Sequence, residues 1–158
     1  MSTVLVIGVG NPFRGDDGAG IEAARILHGI LPGDVEVIEH DGEPAALIDI
    51  WESSAIAYVI DAVRTDDAPG TVHRLEIDGQ GEIVLPESPR RDSSHALGLG
   101  DAVELARALD RLPQRLVLLG IAGGSFALGD AVSQPVREAI DGLVGDVARE
   151  VIEMEAAG

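Results

Sequence analysis

Gly8 to Gly20, reading GVGNPFRGDDGAG, is the stretch that decides the fold. Thr3-Val4-Leu5-Val6-Ile7 precedes it, a continuous apolar run rich in β-branched residues. Ile21, Ala24, Ile26 and Leu27 follow at roughly helical spacing. The order is strand, glycine-rich loop, helix. Gly15, Gly18 and Gly20 surround the adjacent carboxylates of Asp16 and Asp17, so the backbone is free to turn tightly and approach a ligand. In an open α/β sheet, a loop leaving a buried strand is where a ligand site usually lies.

Three readings of this loop compete. Gly8-Val9-Gly10 begins like a dinucleotide fingerprint, but the third glycine would fall at Phe13, and the chain contains no lysine for a phosphate loop. Two carboxylates would also repel a phosphate. The second reading is a carboxylate offering oxygen ligands to a cation. The third is an Asp pair that only caps the following helix. The loop by itself leaves the last two open.

Composition narrows the classes. A chain of 158 residues is expected to be one domain, residues 1–158, with a single substantial core. Hydrophobic residues make up 46% and aromatics only 3%, so the core is built from Val, Ile, Leu and Ala. A net charge of −17 argues against nucleic acid and against an anionic membrane surface. No cysteine is present, which removes disulfides, thiolate nucleophiles and Cys-ligated metals. Met1-Ser2-Thr3 leads directly into the first strand, and no apolar run nears the length of a membrane span. A cytoplasmic protein is the expectation.

Further along, Val35 to Ile38 reads as a second strand, ending in the polar, glycine-bearing exit Glu39-His40-Asp41-Gly42. Pro44 opens a helical stretch through Trp51. Ala55 to Ile60 suits a central strand covered on both faces, with Asp61 directly at its end. An acidic group there is costly unless paired, bound to a cation or open to solvent. Thr71 to Ile77 alternates as a half-exposed, antiparallel edge strand would. Residues 78–94 read as a loop. Ser93 or Ser94 is expected to cap the next helix, with His95 in its first turn and Pro113 beyond its end. Arg115 to Ile121 is the last strong strand, followed by the loop Ala122 to Asp130. Ser133 and Pro135 open a final helix, and the tail from Glu153 is expected to fray. The pattern βαβαββαβα gives an α/β fold, with helices on both faces of a twisted, mostly parallel five-stranded sheet.

In such a sheet, strand exits and helix starts gather on one edge. Asp16, Asp17, Asp61 and His95 all fall at such points. Two carboxylates and one imidazole meeting there form a three-ligand metal site with open positions, and imidazole suits nickel, zinc, copper or iron. His28, His40 and His73 are read as ordinary surface or core residues.

Gly8-x-Gly10-Asn11, Gly15-Asp16-Asp17-Gly18-x-Gly20, Asp61-Ala62 and Ser94-His95 with Leu97-Gly98-Leu99 together resemble the nickel–iron hydrogenase maturation endopeptidases. Length, element order and the Pro69-Gly70-Thr71 turn extend the resemblance over nearly the whole chain. It implies a three-layer α/β/α sandwich. It also implies an aspartyl endopeptidase that removes a C-terminal extension from the hydrogenase large-subunit precursor after nickel insertion. Asp17, Asp61 and His95 would contact the metal, which is nickel carried by the precursor rather than a resident cofactor. Asp16 would orient the loop or handle a proton, and Asn11 would position the loop or a substrate backbone. Two departures stand out. Some relatives carry Glu where this chain has Asp17, and many have a polar residue and proline where it reads Ala122-Gly123-Gly124-Ser125-Phe126. The rival readings are a non-cleaving, nickel-dependent checkpoint or chaperone for the same precursor, and a flavin- or nucleotide-binding domain. Arg14, Arg90 and Arg91 are the few cations expected near the site.

Overall fold

The computed structural model describes residues 3–85 and 99–157. One sheet contains β1 (Val4–Val9), β2 (Glu36–His40), β3 (Ile56–Val63), β4 (Val72–Asp78), β5 (Ile83–Leu85) and β6 (Arg115–Ala122), in the order β2-β1-β3-β6-β4-β5. Around it lie α1 (Ala19–Ile30), α2 (Pro44–Trp51), α3 (Gly100–Leu109) and α4 (Gln134–Ala157). β1 pairs in parallel with β2 and β3, and β3 with β6, while β4 runs antiparallel to β5 and β6.

The alternation of side chains sorts the central strands into two cores. Val4 and Val6 of β1 face Ala23 and Leu27 of α1 and Ile140 and Val147 of α4. Leu5 and Ile7 join Leu47, Ile48 and Trp51 of α2 with Val103 and Ala106 of α3. Both faces are therefore covered, which is why β1 is buried along its whole length. The expected three-layer α/β/α architecture is observed.

Several boundaries differ from the sequence reading. The sheet has six strands rather than five, because Ile83–Leu85 pairs along the outside of β4. At three residues this strand is too short for its pattern to register, and it makes β4 an interior strand instead of an edge. β3 continues to Val63, so Asp61 lies inside the strand, opposite Gly120 of β6, rather than beyond its end. α4 stays helical to Ala157, because Val151 is buried and Met154 packs against the core where fraying was expected. The described part of the helix before Pro113 takes Leu99 as its N-cap and ends in a left-handed Asp110. Ser93, Ser94 and His95, expected to open that helix, lie outside the described residues, as do Arg90 and Arg91.

A charged cluster fastens α4 to the sheet. Arg74 on β4 donates to both carboxylate oxygens of Glu150 at 2.7 Å and to Glu76 at 3.2 Å. Tyr58 donates its hydroxyl to Glu150 at 3.1 Å, and Arg115 pairs closely with Glu76. Glu76 is buried, so its two arginine partners are what make its charge tolerable there.

Candidate functional site

The chain crosses from β1 through α1 to β2 on one side, then returns through α2 to β3 on the other. β1 and β3 therefore flank the topological switch point, where doubly wound sheets open a crevice beyond the strand ends. Their ladder stops at Gly8 and Ile60, so Asp61, the next residue of β3, stands where β1 turns away. The loop from Gly10 to Gly18 fills that position.

Close backbone approach sets this loop. A side chain at Gly20 would strike the carbonyl oxygen of Ile60 and the backbone of Val9, so glycine lets the start of α1 sit directly on β1 and β3. Gly10 takes φ 144, with the carbonyl of Asp17 lying where a Cβ would be. The Asn11 N–H donates to the Asp17 carbonyl at 3.2 Å and to its Oδ2 at 3.1 Å. Asn11 Oδ1 accepts from the Phe13 N–H at 2.9 Å, a bond that closes a turn within the loop.

Asp16 and Asp17 part company in space. Asp16 is fully buried, and its carboxylate accepts from the N–H groups of Gly124 (2.8 Å), Ser125 (3.1 Å) and Ser133 (2.7 Å) and from the Ser133 hydroxyl (2.9 Å). Burial pushes its pKa up, but those four donors outweigh it and hold the group below the ordinary carboxylate value. Asp16 thus stays ionised and binds the β1 loop to the loop after β6. An acceptor so fully engaged is a clamp, and its geometry supports the orienting role rather than proton handling. Gly15 N–H to Asp130 O (3.1 Å) and Asp16 N–H to Ser125 O (2.7 Å) complete the same junction.

Asp17 and Asp61 come together. The Asp61 pKa is pushed up to about 7, first by burial and then by the negative charge of Asp17, against a lowering hydrogen bond from the Ala62 backbone. Alternation along β3 places Asp61 on the sheet face of Ala57 and Val59, the side covered by α2 and α3. Two neighbouring carboxylates with few cations nearby can share a proton or take up a divalent ion. They are an incomplete donor set. Among the described residues, no three His, Asp or Glu side chains gather as a metal-holding group. His95, expected as the third ligand, lies outside the described residues.

Some residues at this edge escaped the sequence reading. His40, Asp41 and Glu43 line a groove of about 640 Å³ together with Gly10, Pro12 and Ile21. The groove's wall is the polar exit of β2, tied to the site by the Gly10 N–H to His40 O bond at 3.1 Å. Glu43 also caps α2, accepting from Ala45 and Ala46. His40 Nδ1 accepts from the Gly42 N–H at 2.8 Å, an ordinary structural role. His73 shares with Asp61 the register partner Gly120, one from each side. Its Nε2 lies 2.8 Å from Asp67 Oδ2 but outside hydrogen-bond geometry. Only register, invisible before strand order is known, reveals that relation.

Comparison with known proteins places the same arrangement in context. The sequence model described as hydrogenase maturation protease matches residues 23–150, a span that includes Asp61 and starts just after the glycine-rich loop. The hydrogenase expression/formation protein HupD of Thiocapsa roseopersicina is 29% identical over 120 residues, covering 75% of this chain and 53% of that protein. The chain thus spans about half the length of that relative. Among solved structures, the hydrogenase maturating endopeptidase HybD from E. coli superposes with a TM-score of 0.75 at 25% identity, covering 96% of this chain and 93% of that one. HybD from Thermococcus kodakarensis, a NiFe hydrogenase maturation protease, gives 0.70 at 28% identity, covering 94% and 99%. With its fold shared almost end to end and the family pattern running through most of its length, the chain belongs to the hydrogenase maturation protease family.

Proposed function

We propose that this protein is an endopeptidase that removes the C-terminal extension of a nickel–iron hydrogenase large-subunit precursor in the cytoplasm, and that nickel in the precursor is its recognition element. The observation that carries the reading is the meeting of Asp17 and Asp61 at the switch point, where burial and mutual repulsion leave a carboxylate pair in need of a proton or a cation. In this reading Asp17, Asp61 and His95 fill open positions on a nickel ion that the precursor already holds. A processing enzyme built this way acts only on metal-loaded substrate. Asp17, Asp61 and His95 would hold such an ion beside the precursor's backbone, where it would supply a charge able to polarise a carbonyl or a water. Asp16 fixes the loop that carries Asp17 through its bonds to Gly124, Ser125 and Ser133.

The test is to incubate the purified chain with nickel-loaded precursor and follow the mass of the precursor's C-terminus. Wild type is expected to release the extension. Asp17→Ala, Asp61→Ala and His95→Ala are expected to slow release by more than about a hundredfold while each remains folded. Normal release by all three variants overturns the assigned site. Tight binding by wild type without any change in mass points instead to the non-cleaving checkpoint.

A further inference from the structure

Phe13 and Leu128 are each 71% exposed, the two most exposed large apolar side chains among the described residues. One of only two phenylalanines in the chain is thus turned to solvent. The pair sits on two loops far apart in sequence, joined by the Gly129 N–H to Phe13 O bond at 2.8 Å. The Asp16 clamp and the Gly15 N–H to Asp130 O bond hold the same two loops beneath. Between them lies a concavity of about 420 Å³ lined by Pro12, Phe13, Leu128, Gly129 and Asp130. Pro12 also borders the groove at the exit of β2, so the concavity is built on the same loop that carries Asp17.

Apolar side chains held on a rigid platform beside a site mark a contact surface. Two candidates could cover it, a second copy of this chain or the substrate polypeptide. A second copy is disfavoured by a net charge of −17 on each partner. It is disfavoured too by area, since two such side chains offer roughly 300 Å², against the roughly 1,000 Å² that a stable interface needs. A small apolar contact does suit a transient partner whose main anchor is elsewhere, and Asp130 at its wall favours a segment with a basic neighbour.

We infer that Phe13 and Leu128 form a docking lip for one apolar side chain of the hydrogenase precursor, on a segment flanked by a basic residue, beside the segment that enters the Asp17–Asp61 crevice. The inference rests on the proposed function and adds a specificity contact to it. The lip sets how tightly the precursor is held, and the carboxylates set what happens to it.

The experiment measures binding and processing of nickel-loaded precursor by wild type, Phe13→Ser, Leu128→Ser and Phe13→Leu, with sedimentation of each. Both serine variants are expected to weaken binding and raise KM roughly tenfold, with kcat within about twofold of wild type. Phe13→Leu is expected to restore most of the loss. Both positions are exposed, so melting temperatures are expected to stay unchanged. Unaltered affinity in both serine variants overturns the lip, as does a fall confined to kcat. So does a wild-type dimer that Phe13→Ser dissolves, or a wild type that binds no precursor. A wild type that binds precursor but releases nothing removes the processing reading, and the same affinities still judge the lip.

Discussion

Replacing Asp16 with alanine leaves the N–H groups of Gly124, Ser125 and Ser133 and the Ser133 hydroxyl without their acceptor. Asp16→Ala is expected to cost about 3 kcal/mol in urea unfolding, since four part-buried donors lose a charged acceptor together. Its pKa is depressed, so its contribution is present above the ordinary carboxylate value and is lost as pH falls through the lower folded value. Asp61 has the opposite sign. Its pKa is raised to about 7, so its contribution is present below the ordinary value and disappears as pH rises through about 7. Metal-free Asp61→Asn is therefore expected to be more stable than metal-free wild type by roughly 2 kcal/mol at pH 8, with the difference vanishing near pH 4. Equal stabilities at both pH values contradict the burial and repulsion assigned to this carboxylate. The approach of Asp17 to Asp61 was legible because the ends of apolar runs can be read from the sequence. The fate of Asp16 was not, because its partners lie as far as 117 residues along the chain. A capping reading and a clamping reading look alike until those partners are in place.

At the scale of elements, the site depends on how closely α1 sits on the sheet. Gly20→Ala would drive a methyl into the Ile60 carbonyl and the Val9 backbone, neither of which can move without breaking the β1–β3 register. A loss of about 3 kcal/mol or more is expected from thermal or urea unfolding, together with loss of processing, because both Asp17 and Asp61 border that contact. A fully stable and active Gly20→Ala protein contradicts the close approach. β1, β3 and β6 could be read directly because strands buried on both faces are continuous runs of Val, Ile, Leu and Ala. The features missed were those fixed by neighbours. β5 exists because β4 offers an open edge, and Asp61-Ala62-Val63 stays in β3 because β6 continues alongside it to Ala122. The last turns of α4 persist because Met154 finds the core. Propensity within a short window carries none of this information.

For the molecule as a whole, the sheet order puts the β1 loop, Asp61 and the exit of β2 on one edge, and the family match extends across the layers that support them. Strand order, and with it the switch point between β1 and β3, required the structure, whereas the α/β/α layering followed from the alternation of strand and helix patterns. Among the described residues, no helix is long and apolar enough to cross a membrane. The acidity of the chain favours a partner that brings positive charge, and in the proposed reading a metal ion held by that partner brings it. The central claim is that the carboxylate pair reads nickel in the substrate. Its most direct test is the C-terminal mass of the same large-subunit precursor, nickel-loaded and nickel-free, after incubation with the purified chain. Release of the extension from the nickel-loaded form alone is the expected result, and equal release from both forms would contradict the claim.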